Sequence, residues 1–289
     1  MKKAIFSIHI YHINYTIMET KARRTILVPF DFTPLSDCAL QHGVQISKML
    51  HADVTLLHIV PSLESEVFIT EKLTSLANEA YRTYKIKPKV LVRPGKVSKA
   101  IKKIAHNLNA ILVIMKTDGP KGSQKYFGSR AIKVMMGSDV PFIIVQSPPI
   151  RYSIKKVIVP IDFRSENKEK LSWINFLVKF YHPQIYLFRP NVTDYRIRNN
   201  LKFATKYLEG HNIDFELVHA RGKKGFTEES IEFSKFIRAD LIVIMLSRFI
   251  TWEKTLFGLR EQKYITNIHK IPVMVLNPRV DLHKLGGFA

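Results

Sequence analysis

Apolar runs rich in β-branched residues alternate along this chain with segments whose apolar positions recur at helical spacing. The runs predict strands at about 24–30, 53–60, 88–93, 109–115 and 141–146, and the series repeats at about 155–161, 183–188, 213–220, 240–245 and 272–276. Stretches such as Ala110-Ile111-Leu112-Val113-Ile114-Met115 are apolar at every position, as in parallel strands covered on both faces. Between the strands, 36–50 gathers Ala39, Leu40, Val44, Ile46 and Leu50 on one helical face, and 97–107 gathers Val97, Ile101, Ile104 and Ala105; both faces should be core. Five strands joined by helices predict a doubly wound α/β sheet. Its ligand crevice lies beyond the carboxyl ends of the strands, just after strands one and four.

The two series are copies. Arg24-Thr25-Ile26-Leu27-Val28-Pro29-Phe30-Asp31-Phe32 returns 131 residues later as Lys155-Lys156-Val157-Ile158-Val159-Pro160-Ile161-Asp162-Phe163. The same offset relates Pro141-Phe142-Ile143-Ile144-Val145-Gln146 to Pro272-Val273-Met274-Val275-Leu276-Asn277, and an offset of 130 aligns Ile111–Met115 with Leu241–Met245. A repeat of this length is a whole domain rather than a solenoid unit. The expected organisation is an N-terminal extension over 1–21, a first α/β domain over 22–149 and a second over 153–279. The short linker from Pro148 to Lys155 should hold two parallel five-stranded domains together as a pseudo-dimer, with a further homodimer left open. The tail from Arg279 has no periodic pattern and reads as a loosely attached end.

Length and composition fit two globular domains: 289 residues, 46% of them hydrophobic. The one cysteine, Cys38, excludes an intramolecular disulfide and reads as a small buried residue. A net charge of +21, spread over both halves, favours anionic ligands, but no helix-turn-helix, zinc-finger or aromatic RNA-binding spacing accompanies it, so specific nucleic-acid recognition is not expected. The first dozen residues begin like a signal peptide, yet His9, His12 and Asn14 interrupt the apolar run. No stretch reaches the roughly 18 apolar residues of a membrane span, so the expected location is cytoplasmic, in a bacterial cell, with no membrane partner. Met18, which stands just before the repeat begins, is the expected natural start.

The chemistry concentrates after strand four of copy one. Lys116-Thr117-Asp118-Gly119-Pro120-Lys121-Gly122-Ser123-Gln124-Lys125-Tyr126-Phe127-Gly128-Ser129-Arg130 leads into an apolar helix beginning near Ala131. Glycines let a backbone approach phosphate, and Gly128-Ser129 stands where a helix begins, with free amides and the positive end of the dipole. Asp31, at the end of strand one, shares that crevice. It can accept ribose hydroxyls or cap the following helix with Thr33 and Pro34. His58 reads as a satisfied core histidine, Lys223-Lys224 as a solvated turn, and no metal-ligand spacing or nucleophile with an adjacent base is visible, so no catalytic or metal residue is named.

The ordered set Ile-Leu-Val-Pro-Phe-Asp-Phe, Leu56-Leu57-His58-Ile59-Val60, Ile-Met-x-Thr-Asp-Gly, Phe-Gly-Ser and Val-Pro-Phe-Ile-Ile-Val resembles the universal stress protein family in its tandem form, over about 24–278. The resemblance implies a five-stranded α/β fold and, in ATP-binding members, a loop of glycine, two residues, glycine, about nine residues, then glycine with serine or threonine. Carried onto this chain, it implies that Pro29 and Asp31 lie by the adenosine, that Met115 and Lys116 line the start of the loop, and that Gly119, Gly128, Ser129 and Arg130 hold phosphates. Lys116 stands where the first glycine is expected, and eight residues rather than nine separate Gly119 from Gly128. Copy two departs further, with Leu246 and Phe249 at the glycine positions and Leu259 in place of Ser129. It is therefore expected not to bind ATP, its Phe249 and Trp252 serving as packing residues.

The expected function is a stress-response protein that binds ATP or a related adenine nucleotide, AMP and ADP included, in copy one. Copy two then acts as a dimerisation-like partner, and a further protein partner is unnamed. The alternatives are slow ATP hydrolysis in the same crevice, with Asp31, Lys116 and Arg130 as its candidates, and an interaction scaffold that binds no nucleotide.

Overall fold

The computed structural model describes residues 24–62, 66–117, 127–163, 170–246 and 260–278, and for 127–130 the backbone alone. Copy one runs β1 (Thr25–Pro29), α1 (Pro34–Leu50), β2 (Asp53–Val60), α2 (Glu66–Tyr84), β3 (Lys89–Pro94), α3 (Val97–Asn107), β4 (Ala110–Lys116), α4 (Phe127–Met135) and β5 (Phe142–Val145). Copy two repeats the order as β6 (Lys156–Pro160), α5 (Lys170–Tyr181), β7 (Gln184–Arg189), α6 (Tyr195–Gly210), β8 (Phe215–His219), α7 (Phe226–Phe236), β9 (Leu241–Met245), α8 (Arg260–Ile265) and β10 (Val273–Leu276). The helices turn back into strands through residues in the left-handed region. His51 and His182 do this at the same point of the two copies, with φ of 49° and 47°.

All ten strands join one sheet, in the order β3-β2-β1-β4-β5-β10-β9-β6-β7-β8. Each copy keeps its strands parallel. The copies meet through β5 and β10, which pair antiparallel with Ile143 opposite Met274. Within each half the order reverses between the first and fourth strands, and that reversal opens a crevice at their carboxyl ends.

Strand residues point alternately to two cores. Ile26 and Val28 enter one and Leu27 the other, and both cores run through both copies. At the junction Ile46 and Leu50 of α1 face Trp173, Phe176, Leu177 and Tyr181 of α5 across Ile143 and Met274. The ends of β5 and β10 are tied reciprocally. Gln146 donates to the Ile265 and Asn267 carbonyls at 3.2 and 3.1 Å, and Asn277 donates to the Met135 carbonyl at 2.8 Å. These equivalent residues give the junction the approximate two-fold symmetry of a dimer inside one chain.

The five apolar residues expected on the first helix are all buried. In α3, Ile101 and Ala105 are buried, whereas Val97, in the first turn, stays exposed. Helix α2 is the element that the apolar pattern does not single out. Its fully buried positions are Leu73, Ala77 and Ala80, two of them alanines, so its inward stripe is faint in sequence. Cys38 is buried and free.

Candidate functional site

The chain leaves β1 at Pro29 and turns through Phe30, Asp31 and Phe32 before α1 begins. This turn is built around the Asp31 carboxylate. Its Oδ1 accepts hydrogen bonds from the Thr33 amide at 3.3 Å, the Thr33 hydroxyl at 2.7 Å and the Ser36 hydroxyl. Thr33 occupies the N-cap of α1 with extended backbone, yet its hydroxyl serves Asp31 and makes no cap bond to the helix; Pro34 follows at the first helical position. On the other side, Asp31 Oδ2 meets the Lys116 ammonium, at the end of β4, at 2.9 Å. Partial burial opposes the charge, but the bonds from Ser36, Thr33 and Lys116 outweigh it and hold the carboxyl at about 2, with the lysine charge adding to them. An ion pair therefore bridges the crevice, from the end of the first strand to the end of the fourth.

Phe32 lies beside it with φ of 61°, a conformation that side chains with a Cβ rarely adopt. Its ring is held edge-on by Phe30, tilted against His58 at 5.0 Å and covered by the Lys72 ammonium of α2 at 4.4 Å. His58 is half-buried, and its Nδ1 lies 2.6 Å from the Phe30 carbonyl, so the histidine is satisfied and braces the turn. The helix after β4 begins at Phe127, which puts Gly128, Ser129 and Arg130 in its first turn, where the backbone amides have no partner within the helix. Gly119 lies outside the described residues. Among the described residues, no group of three or more His, Cys, Asp or Glu could hold a metal ion.

Copy two has the same frame and a different interior. Its Asp162 side chain is 8% exposed, against 51% for Asp31. Asp162, Lys170, Arg260 and Glu261 all line one narrow recess with Pro160 and Tyr264. Lys170 is almost fully buried and donates to the Pro160 carbonyl, at the end of β6. Its counterpart 131 residues earlier is Ala39, which carries no charge. Charged side chains of copy two thus occupy the ground that copy one leaves to the Asp31–Lys116 pair. Phe163, the counterpart of Phe32, is exposed, with the guanidinium groups of Arg196 and Arg260 at 5.0 and 5.4 Å from its ring centre.

Residues 22–146 match the universal stress protein family model. This half of the chain belongs to the universal stress protein family. A universal stress protein from Archaeoglobus fulgidus DSM 4304 superposes with a TM-score of 0.72 over 89% of this chain and 97% of its own, at 16% identity. A functionally unknown protein from Pseudomonas aeruginosa PAO1 gives 0.62 over 91% and 96%, at 12% identity. At such identities the likeness is one of fold. It extends over both copies. No curated protein matches the sequence.

Within the universal stress protein half, the structure brings Pro29, Asp31, Met115 and Lys116 together at the ends of the neighbouring strands β1 and β4. Sequence reading missed Ser36, which bonds Asp31, and Lys72, which covers Phe32. Ser36 had a local signal, five residues after the aspartate at the start of a helix; Lys72 had none, because α2 is distant in sequence.

The strand register also corrects the alignment of the copies. Val113 pairs with Phe142 as Ile242 pairs with Val273, so the offset at the fourth strand is 129 rather than 130. The position of Lys116 is accordingly taken in copy two by buried Met245, and Leu246 replaces Thr117. Phe249, Trp252 and Leu259 lie outside the described residues. The Lys223-Lys224 turn is more ordered than a solvated loop: the Lys223 and Lys224 amides donate to Glu229 Oε1 at 2.6 and 2.8 Å, and those of Arg221 and Gly222 to its Oε2.

Proposed function

We propose that copy one binds an adenine nucleotide, with ATP the leading candidate, in the crevice between the ends of β1 and β4, and that copy two binds none and serves as its built-in structural partner. The observation that carries this reading is the contrast between the two aspartates. Asp31 stands ionised and half open to solvent beside a helix N-terminus, whereas Asp162 is sunk among Lys170, Arg260 and Glu261. An open carboxylate can accept the hydroxyls of a ribose, and the first turn of α4, with Gly128, Ser129 and Arg130, can receive phosphate. Membership of the first half in the universal stress protein family supports the same assignment. Pro29 and Met115 then flank the nucleoside, and Gly119 belongs to the phosphate loop. A role in the stress response follows from the same family.

The Asp31–Lys116 contact favours one competing reading, in which the pair closes the crevice and the protein is a nucleotide-free scaffold. Calorimetric titration of the purified protein with ATP separates the two. Binding heat from the wild type and its loss in Gly128→Val is the expected result. No heat from the wild type leaves the scaffold. Phosphate release during hours of incubation with ATP would instead make copy one a slow hydrolase.

A further inference from the structure

We propose that the outer face of α3 and α4 in copy one is a docking surface for the phosphate backbone of a nucleic-acid duplex, held by charge and without reading the bases. The surface is independent of the crevice and of what the crevice binds.

The contrast between the copies carries the inference. Helices α3 and α7 are both 11 residues long and begin 129 residues apart, at Val97 and Phe226. Lys99 therefore stands where copy two has Glu228, and Lys103 where it has Glu232. Helices α4 and α8 align at an offset of 130, which brings buried Met135 onto buried Ile265 and exposed Lys133 onto exposed Lys263. In copy two, Lys263 pairs with Glu228 and Lys224 with Glu232. Copy one packs the same two helices together but puts lysines, Lys99 and Lys133, at both positions of the first pair. Lys99 and Lys103, one turn apart, repel each other, and Lys96 and Lys99 sit at the positive end of the α3 dipole. An anion laid over this face turns each of these unfavourable placements into a favourable one.

The two helices supply no counter-charge of their own, for neither contains an acidic residue. Among the described residues, Lys96, Lys99, Lys103 and Lys133 are exposed and make no ion pair. Lys102 is committed to the Met136 carbonyl at 2.7 Å, and Asp139 to His106. Residues 118–126, which precede α4, hold two lysines and one aspartate, so they add no net negative charge.

The chemistry of the face selects its partner. Interfaces with folded proteins centre on an apolar core, and surfaces that enter a bilayer carry apolar side chains among their cations. Val97 and Leu108 are exposed at the two ends of α3, but among the described residues no large apolar side chain is exposed between Lys99 and Lys103 or on α4. Helix α3 has no Phe, Tyr or Trp on which an unstacked base could lie, which favours the paired form. Lysines are point charges that meet phosphate without the fork that lets arginine read guanine. A duplex offers one negative charge per about 1.7 Å of its axis, so several lysines engage at once. The net charge of +21 attracts it from a distance.

The test is titration of a short mixed-sequence DNA duplex with the intact chain, followed by fluorescence anisotropy over a range of salt concentrations. Lys99→Glu/Lys103→Glu installs the residues of copy two, and Lys202→Glu/Lys206→Glu, at exposed positions of α6, removes the same net charge elsewhere. Both are first checked for an unlowered thermal melt. The wild type should bind, more weakly as salt rises. The α3 variant should bind about tenfold or more weakly, with the slope of log affinity against log salt reduced by about 2, and the α6 variant should stay within about threefold of wild type. Equal weakening of the two variants would assign binding to net charge alone and overturn the docking surface. So would the absence of wild-type binding at low salt, or a tenfold preference for one duplex sequence over another. Binding to phosphatidylserine–phosphatidylcholine vesicles but not to the duplex, lost in the α3 variant, would give the face to a membrane instead.

Discussion

The two crevices show how one backbone frame can hold opposite electrostatic interiors. In copy one, the aspartate after the first strand is fixed by Thr33 and Ser36 and meets Lys116 across the crevice. In copy two, the equivalent aspartate shares a recess with a buried lysine, a glutamate and an arginine. An opening with two charges at its rim can exchange them for a ligand's groups at small cost. A recess whose aspartate, lysine and glutamate are buried cannot, because each displaced charge loses partners that water does not replace. On the reading proposed above, this contrast separates a site from a structural plug more sharply than the aspartate itself, which both copies keep.

The largest expected effect is therefore in copy two. Lys170→Ala gives the recess the residue that copy one has at Ala39, but it leaves Asp162 and Glu261 buried without the ammonium. It should destabilise the protein by about 3–5 kcal/mol in urea denaturation. Asp31→Asn, the corresponding disturbance in copy one, should cost less than about 1 kcal/mol, because its ion pair is partly exposed. Similar costs for the two variants would remove the distinction between plug and site.

A smaller effect sharpens the same contrast through pH. The Asp31 carboxyl is held at about 2 in the folded protein, below its ordinary 3.8. Its contribution to stability is thus fully present above 3.8 and is lost as pH falls from there toward 2. Following the Asp31 carboxyl resonance by NMR should give a midpoint near 2 in the wild type and a higher one in Lys116→Gln, with Ser36 and Thr33 still holding part of the shift. A wild-type midpoint at the ordinary value would mean that the pair does not form in solution.

Much of this architecture was legible in the sequence because duplicated apolar runs specify strands twice. The antiparallel seam between Phe142–Val145 and Val273–Leu276 was implied only as a pseudo-dimer, since side-chain pattern does not say which strand edge meets which. Asp31 and Lys116 were identified as site candidates, but their contact was not, because it joins residues far apart in the chain. The offset at the fourth strand was misread by one. Uniformly apolar strands such as Ile111–Met115 and Leu241–Met245 align almost equally well in adjacent registers, and only hydrogen bonding to β5 and β10 decides between them. The buried charges of copy two were not legible for a related reason: nothing near Lys170 in the sequence marks it as a residue that the fold encloses.

The most direct test of the central claim is the stoichiometry of ATP binding, measured calorimetrically on the intact chain at a concentration well above its dissociation constant. The account predicts one nucleotide per chain, abolished by Gly128→Val in copy one. Two nucleotides per chain, or one that survives Gly128→Val, would contradict it.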